Sequence, residues 1–303
     1  MSVTIRPVAG REELDRFLGL PYVLNDELDG DLAAGRRRPG WLWMALDGDR
    51  LVARAAWWAR AGSAEPYLMD IFDFADGHAG TAAQLVRTAL ARLVPAGGPP
   101  PEYIRFVDPG WAEDPAGAVL QHLAALEGLG ARLLVERHRL EWRPGATIPP
   151  GSGRLAFRDF RGTAEALDLM TRAVEGTLDA HHRAGLTRLP ARRVAEEHLH
   201  GELELYRSPR QWWRVATLPG GEPVGFIFPA RNDYGPIIAY LAVLPEHRGR
   251  GYIDDVLGEG SRVLAAQDAP RIRATTDVGN VPMAKAFLRG GYVNYQNEIN
   301  MTW

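Results

Sequence analysis

The segment RGRG at residues 248–251 alternates two arginines with two glycines. An apolar run typical of a buried strand precedes it at residues 241–244, and a segment with helical apolar spacing follows at residues 253–267. The free N–H groups and partial positive charge at a helix start favour an anion, and glycines let that anion approach the backbone. Arginine adds a planar fork of donors that suits phosphate oxygens. The segment therefore predicts a pyrophosphate-binding turn, with a solvated basic loop as the alternative.

The overall composition is that of an ordinary globular protein. Apolar residues make up 46% of the chain and charged residues 24%, and the net charge is -3, which does not favour nucleic acid or an anionic membrane surface as a partner. The absence of cysteine excludes disulfides, thiolate nucleophiles and cysteine metal ligands. No apolar run reaches the roughly 18 residues of a membrane span, and the first residues lack the apolar core of a signal peptide. We therefore expect a cytoplasmic protein, either a monomer or a homodimer.

The sequence contains two similar copies of one unit, separated by a proline- and glycine-rich linker at residues 143–153. Five segments before the linker match five segments after it in the same order. The pairs are VTIRPV with LAFRDF, LVARAAWWA with PVGFIFPAR, YLMDIFDF with IIAYLAVL, EYIRFVD with PRIRATTD, and GARLLVERHRLEW with GYVNYQNEINMTW. We therefore expect an α/β protein with mixed sheets and two tandem domains, at residues 1–145 and 152–303.

The two copies differ in the residues that carry charge. In the second copy, apolar periodicity predicts helices at residues 163–174, 190–203, 253–267 and 281–289. In the first copy, the strand that matches the one before RGRG leads into ADGHAGTAAQLVRTAL, which has no arginine at its turn and has Asp76, whose charge repels phosphate. We expect the first copy to keep the fold without the anion site. Its charged runs at residues 25–31 and 36–38 are expected to be solvated, with gating as an alternative.

Two segments, LAVLPEHRGRGY at residues 241–252 and TTDVGNVPMAKAFLRGGY at residues 275–292, resemble the GCN5-related N-acetyltransferase superfamily. The superfamily pattern is V-x-P, then R-x-x-G-x-G/A, then an asparagine that opens a helix ending in an aromatic residue and G-[FY]. The likeness covers residues 221–303 by motif and 155–220 by topology. A tandem protein with one active half is similar in architecture to mycothiol synthase. The resemblance implies acetyl-CoA, or another acyl-CoA, as cofactor.

The resemblance also implies which residues contact that cofactor. The backbone that would bind the pantetheine arm is that of Leu241, Ala242 and Val243, and the backbone that would bind the pyrophosphate is that of Arg248, Gly249, Arg250, Gly251, Tyr252 and Ile253. Asn280 would touch the cofactor at the next helix start, and Phe287 would pack against its thiol end. Three positions depart from the pattern. Ile253 replaces a small residue, Phe287 a tyrosine that often protonates the leaving thiolate, and Ile237 a glutamate base of some members.

The candidate catalytic residues are Asp233, Tyr240 and Tyr292. An acceptor amine arrives mostly protonated and must lose a proton before it attacks a thioester, so that a base is needed, and an acid may protonate the thiolate. Asp233 lies in a predicted turn beside the central strand, and Tyr240 lies on that strand. For each of the three a structural role is the alternative, as a turn residue for Asp233 and as a packing residue for both tyrosines.

The segment EGTLDAHHRAGLTR, between the first two predicted helices of the second copy, is the candidate acceptor site. Glu175 and Asp179 suit a cationic amine, while His181 and His182 can each act as a base or a ligand. A polar connecting loop is the alternative. No metal site is predicted, because adjacent histidines point in different directions on either type of backbone.

Taken together, these features predict an acyl-CoA-dependent N-acyltransferase that acts on a small-molecule amine, with acetyl-CoA as the donor. A compact acceptor segment and the absence of a basic surface do not favour histones or nucleic acid. An acyl-CoA-binding sensor or scaffold without catalysis is the main alternative, because Ile237 and Phe287 stand where a base and an acid are expected. An O-acyl or aminoacyl transferase on the same fold is a third interpretation.

Overall fold

The computed structural model describes residues 3–113 and 117–303. It divides the chain into two compact units, which we call the first unit (Met1–Glu136 with Asn297–Trp303) and the second unit (Arg137–Gln296). Both contain a mixed sheet with helices, so the predicted α/β class and tandem arrangement are confirmed. No helix in the described residues is long and apolar enough to cross a membrane.

The strands and helices are numbered in chain order. The strands are β1 (Thr4–Pro7), β2 (Leu42–Asp47), β3 (Arg50–Trp58), β4 (Leu68–Phe74), β5 (Glu102–Val107), β6 (Arg132–Trp142), β7 (Ala156–Arg158), β8 (Arg214–Thr217), β9 (Pro223–Asn232), β10 (Gly235–Val243), β11 (Ile272–Asp277) and β12 (Val293–Thr302). The helices are α1 (Leu14–Phe17), α2 (Leu28–Ala33), α3 (Ala79–Leu93), α4 (Ala118–Glu127), α5 (Thr163–Ala173), α6 (Ala180–Leu186), α7 (Ala191–Gly201), α8 (Tyr252–Ala265) and α9 (Val281–Arg289).

The sheet of the first unit has the order β1-β2-β3-β4-β5-β12, where β12 contributes residues 297–301. Its pairs are antiparallel except β4 with β5, which run parallel. Apolar residues cover both faces of β2 and β3, so these strands are buried through most of their length. The large side chains of Trp43 and Trp57 fill this core.

The sheet of the second unit has the order β6-β11-β10-β9-β8-β7, where β6 contributes residues 137–142. Only β10 and β11 run parallel within it. Side chains alternate along β9, so that Ile227 packs with α8 on one face while Phe226 and Phe228 pack with α5 and α7 on the other. The parallel pair therefore lies in the middle of a sheet that is covered by helices on both faces.

The compact units divide at residues 136/137 and 296/297, outside the linker at 143–153. The reason is strand pairing. Residues 137–142 pair with β11, and residues 297–301 pair with β5. The domain limits at residues 1–145 and 152–303 were derived from the two sequence copies, and they stay a prediction.

Two local structures differ from what the sequence suggested. Residues 175–188 are not only a connecting loop, because they contain helix α6, which Asp179 caps by accepting a hydrogen bond from the amide of His182. The charged runs of the first unit are not wholly solvated either, since Asp31 and Arg37 are buried together. Arg37 donates to Asp31 at 2.9 Å and to both oxygens of Asp70 at 2.7 Å. Because Asp70 on β4 compensates its charge, the Arg37 side chain can be buried.

Candidate active site

An opening in the backbone of the central sheet of the second unit is the starting point of the site. Strand β10 pairs with β9 along its whole length. Within the described residues, β10 pairs with β11 at one position, where Ile237 lies opposite Arg273. A register shift between Ile238 and Tyr240 bends the strand just after this point. Residues 241–243 therefore turn one edge of their backbone toward an opening, where an extended ligand can add its own hydrogen bonds.

The RGRG turn follows directly from this strand and begins α8. Gly249 and Gly251 both have φ of +76°, a left-handed conformation that side chains other than glycine rarely adopt. A Cβ atom built on Gly249 meets no atom within 4 Å, so the backbone there is open to a ligand. Successive N–H groups in this conformation form an anion-binding concavity at the start of a 14-residue helix. The local geometry thus fits a diphosphate group.

Arg248 differs from the sequence expectation in the use of its side chain. Its guanidinium donates four hydrogen bonds to backbone carbonyl groups, and these bonds tie the end of α5 and the following residues to the end of β10. The acceptors are Val243 at 3.1 Å, Ala173 at 2.7 Å, Glu175 at 2.7 Å and Gly176 at 3.2 Å. Its own amide donates to Pro245 at 3.3 Å. Arg248 and Arg250 are both exposed, but the four bonds make Arg248 a structural clamp and not the free phosphate fork that the sequence predicted.

Arg154 is a cation beside this turn that the sequence analysis missed. Its guanidinium donates to the carbonyl of Arg250 at 2.9 Å and lies 4.7 Å above the ring of Tyr252. Ser152 holds the segment in place, because its amide and hydroxyl donate to Asp255 at 2.7 and 2.6 Å. Arg154 is the first residue after the linker, and no spacing in the sequence relates it to the turn.

Asn280 and Phe287 occupy structural positions on α9. The side chain of Asn280 accepts a hydrogen bond from the amide of Met283 at 3.3 Å and so caps the helix. Phe287 is 1% exposed and packs edge-on against Tyr292, with ring centroids 5.1 Å apart. The hydroxyl of Tyr292 is bonded to Ser261 at 2.9 Å, and burial raises the pKa of Tyr292. These contacts favour packing roles for Phe287 and Tyr292.

The three candidate catalytic residues do not come together. Asp233 is exposed in the turn between β9 and β10. Tyr292 belongs to the apolar cluster of α8 and α9, whereas Tyr240 belongs to the cluster of α5 and α7 on the opposite face of the sheet. Of the three, only Tyr240 lies on the part of β10 that separates from β11.

The first turn of α6 lies across the opening between β10 and β11. The amide of Ala180 donates to Asp277, the last residue of β11, at 2.7 Å. The ring of His182, two residues further on, lies 5.4 Å from the ring of Tyr240 on β10. The predicted acceptor residues Asp179 and His182 both lie at the first turn of α6. This turn is close to the place where β10 and β11 separate.

His182 is part of a row of polar side chains that continues into α7. Its Nε2 atom lies 3.1 Å from Nδ1 of His198, and its Nδ1 atom lies 3.6 Å from Oδ1 of Asp179. The Nε2 atom of His198 lies 3.6 Å from Oε2 of Glu202, whose other oxygen accepts a hydrogen bond from Tyr206 at 2.7 Å. His198 and Glu202 were not predicted, because a histidine followed four residues later by a glutamate is common on exposed helices.

Burial and neighbouring charges set the protonation of this group. Burial lowers the pKa of His182 to about 4 and lowers that of His198, so both rings are neutral at pH 7. Burial works against ionisation of Asp179, but the positive charge of Arg137 and the hydrogen bond from the amide of His182 favour the carboxylate, and the pKa of Asp179 is lowered. Burial raises the pKa of Tyr240, which therefore keeps its proton. The site thus holds a carboxylate, two neutral imidazoles and a neutral phenol.

The other two predicted acceptor residues lie outside this row. Glu175 is exposed and uses its backbone carbonyl to accept from Arg248. His181 is partly exposed, and its ring does not share the burial of the adjacent His182. Within residues 3–113 and 117–303, no three histidine, cysteine, aspartate or glutamate side chains are grouped closely enough to hold a metal ion.

The corresponding opening in the first unit is filled by side chains. Strands β4 and β5 pair only at Leu68–Glu102 and Met69–Tyr103 in the described residues, so they too separate. Arg105 donates to the carbonyl of Phe72 at 3.0 Å, and the Tyr22 hydroxyl accepts from the amide of Phe106 at 2.8 Å. These two side chains therefore bond to the backbone of β4 and β5 at the place where the two strands separate.

The site thus combines separated parallel strands, a glycine turn at the start of a helix and a row of polar side chains. Residues 181–292 match the model of the acetyltransferase (GNAT) family. The matched residues lie within the second unit, and members of that family generally bind acyl-CoA. The predicted resemblance and the predicted enzyme class, an N-acetyltransferase, are confirmed.

Several solved structures share the fold over nearly the whole chain. A GCN5-related N-acetyltransferase from Sphaerobacter thermophilus is 14% identical, with a TM-score of 0.58 and coverage of 99% of this chain and 95% of that one. A tandem GNAT protein from the clavulanic acid biosynthesis pathway is 13% identical, with a TM-score of 0.54 and coverage of 100% and 98%. No curated protein sequence matches the chain. At these identities the likeness shows the fold alone.

Proposed function

We propose that the second unit transfers an acetyl group from acetyl-CoA to the primary amine of a small molecule. The observation that carries this proposal is the arrangement at β10, where an open strand edge leads into the RGRG turn on one side and faces the first turn of α6 on the other. A cofactor with an extended arm and a diphosphate matches the first two features. Acetyl-CoA, when bound, supplies the acetyl group as an activated thioester.

The chain offers backbone groups for each part of that cofactor. Residues 241–243 provide the strand edge for the arm, and the N–H groups from Gly249 to Ile253 provide the donors for the diphosphate. The guanidinium groups of Arg154 and Arg250 add positive charge beside the turn. Ile253 is larger than the small residue of the family pattern and limits how closely the diphosphate can approach there, so Gly249 and Gly251 supply the close approach.

The polar row at α6 supplies the acceptor site. Asp179 remains ionised and is partly exposed, so it attracts an ammonium group, and the neutral His182 behind it can take up the proton that the ammonium must lose. Tyr240 keeps its proton at neutral pH and is the proposed donor to the leaving thiolate. The exposed turn position of Asp233 and the packing of Tyr292 do not support roles for them in these steps.

We also propose that the first unit binds no cofactor. Arg105 and Tyr22 already bond to the backbone groups that border its opening, and the turn before α3 has no arginine. A cytoplasmic location and a monomeric or homodimeric state stay predictions from the sequence.

The test is calorimetric titration of the purified protein with acetyl-CoA, followed by a thiol-release assay with a panel of amines. We expect one cofactor to bind per chain and one class of amine to release the thiol. Binding of one cofactor without turnover of any amine favours the sensor alternative. Binding of two cofactors per chain contradicts the assignment of the first unit, and no binding contradicts the proposal.

A further inference from the structure

The row formed by Asp179, His182, His198 and Glu202 extends beyond what the proposed acetyl transfer uses. Consecutive members are separated by 3.6, 3.1 and 3.6 Å. We propose that this row, which we call the histidine relay, carries the proton of the acceptor amine from Asp179 to solvent at Glu202. The inference rests on the proposed function and concerns how the same site disposes of its proton.

Exposure varies along the relay in the way that such a path requires. The side chains at its ends are 28% exposed for Asp179 and 41% for Glu202, whereas those of His182 and His198 are 10% and 16% exposed. The ring of Tyr240 lies against both imidazoles, with centroids 5.4 and 4.7 Å away. Water is therefore largely excluded from the middle of the row, and a proton that leaves through this side passes along the two rings.

The proton count of the two rings allows this transfer. Two neutral imidazoles carry two N–H groups, and only one proton can lie between Nε2 of His182 and Nδ1 of His198. The buried Nδ1 of His182 has no hydrogen-bond partner among the described residues. When it gains the amine proton by way of Asp179, the shared proton moves to Nδ1 of His198, and the proton on Nε2 of His198 moves to Glu202 and then to water. One proton enters and one leaves, and the tautomers reset by exchange with water.

The groups around the relay keep the proton from remaining there. Arg137, whose Nη2 atom lies 4.0 Å from Asp179 and whose Nε atom lies 3.2 Å from Asp277, adds positive charge at the inner end. Burial lowers the pKa of both imidazoles. A proton placed on the pair is therefore passed on to water and not retained.

The same helix provides an internal comparison. His200 and Glu204 have the same spacing as His198 and Glu202, and their side chains lie 2.7 Å apart. His200 is 51% exposed, however, and the interaction is a surface pair. The spacing alone therefore has no functional meaning, and the distinguishing features of the relay are its burial and its second histidine.

The test compares His198→Asn and Glu202→Gln with the matched surface variants His200→Asn and Glu204→Gln. Each full-length variant is assayed with an amine that the wild type accepts, at low and at high concentration of imidazole buffer. We expect His198→Asn to lose about tenfold to a hundredfold in kcat at low buffer, within the range of general acid–base contributions, without a change in KM. We expect Glu202→Gln to lose severalfold. Imidazole in the buffer should restore both, and the surface variants should match the wild type.

A purely structural role is separated from the relay by the buffer effect, because a distorted site is not restored by an added base. The relay is overturned if His198→Asn keeps its kcat, or if its loss is independent of buffer, while the wild type turns over normally. Absence of turnover in the wild type overturns the proposed function and the relay with it. If His198→Asn does not fold, the half-exposed Glu202→Gln decides in the same way.

Discussion

Replacement of Gly251 by alanine tests the assigned anion site most directly. The residue has φ of +76° and ψ of 8° at the start of α8, and a Cβ atom placed on it lies 3.6 Å from Nη2 of Arg154. The new methyl group therefore fits, but it lies in the turn that the diphosphate is proposed to occupy, and the backbone conformation becomes unfavourable. A left-handed conformation costs an L-residue about 1–2 kcal/mol.

Gly221 provides a matched control for the conformational part of this effect. It has φ of +87° in the turn between β8 and β9, and a Cβ atom there meets nothing within 4 Å. Both alanine variants should therefore lose about 1–2 kcal/mol in the free energy of unfolding. Only Gly251→Ala should also lose acetyl-CoA affinity, by at least about tenfold, which corresponds to about 1.4 kcal/mol of binding free energy.

Urea denaturation and calorimetric titration of the two variants separate these contributions. If Gly251→Ala is destabilised as much as Gly221→Ala but binds acetyl-CoA as well as the wild type, the glycine turn is a structural feature and the assigned anion site is wrong. Equal loss of affinity in both variants would instead show that binding follows general stability.

Three further predictions concern arginine and histidine side chains of the second unit. Arg248→Ala should lower the free energy of unfolding by about 1–3 kcal/mol in urea denaturation, because four carbonyl groups lose a charged donor, whereas Arg250→Ala should change it by less than about 0.5 kcal/mol and weaken cofactor binding. Arg154→Ala should weaken acetyl-CoA binding severalfold in calorimetry, more at low salt than at high salt, and unchanged affinity would remove it from the site. Burial lowers the pKa of His182 from 6.5 to about 4, so the unfolded chain binds more protons between these values and stability falls as the pH drops through them. His182→Asn should reduce this fall in urea titrations at pH 7 and pH 4.5, whereas the exposed His200→Asn should not.

The sequence predicted elements well where a local pattern extended over several turns. The helix predicted at residues 253–267 is α8, and the one predicted at 281–289 is α9 with the same limits. Helix α6 was missed because its seven residues contain too few apolar positions for a period to be seen. The positive φ angles of Gly249 and Gly251 also follow from residue type, since the turn needs a conformation that glycine adopts without strain.

The chemical roles of the charged residues depended on partners that are distant in the chain. Arg248 and Arg250 look equivalent in the sequence, yet only Arg248 reaches the carbonyl groups at the end of α5. Likewise, nothing local distinguishes the His198 and Glu202 pair from the His200 and Glu204 pair on the same helix. The difference lies in which face of α7 packs against the sheet.

By itself, the sequence determined the repeated α/β unit, the single strand-to-helix turn rich in arginine and glycine, and the resemblance of the second unit to the acetyltransferase superfamily. These features depend on backbone propensity and on periodic burial, which act over neighbouring residues. The tertiary structure alone decided that Arg154 joins the turn, 96 positions before Arg250, and that His182 meets His198, 16 positions away. The physical reason is that hydrogen bonding and desolvation depend on which side chains the packed sheet and helices bring together. Residue spacing along the chain does not predict those contacts.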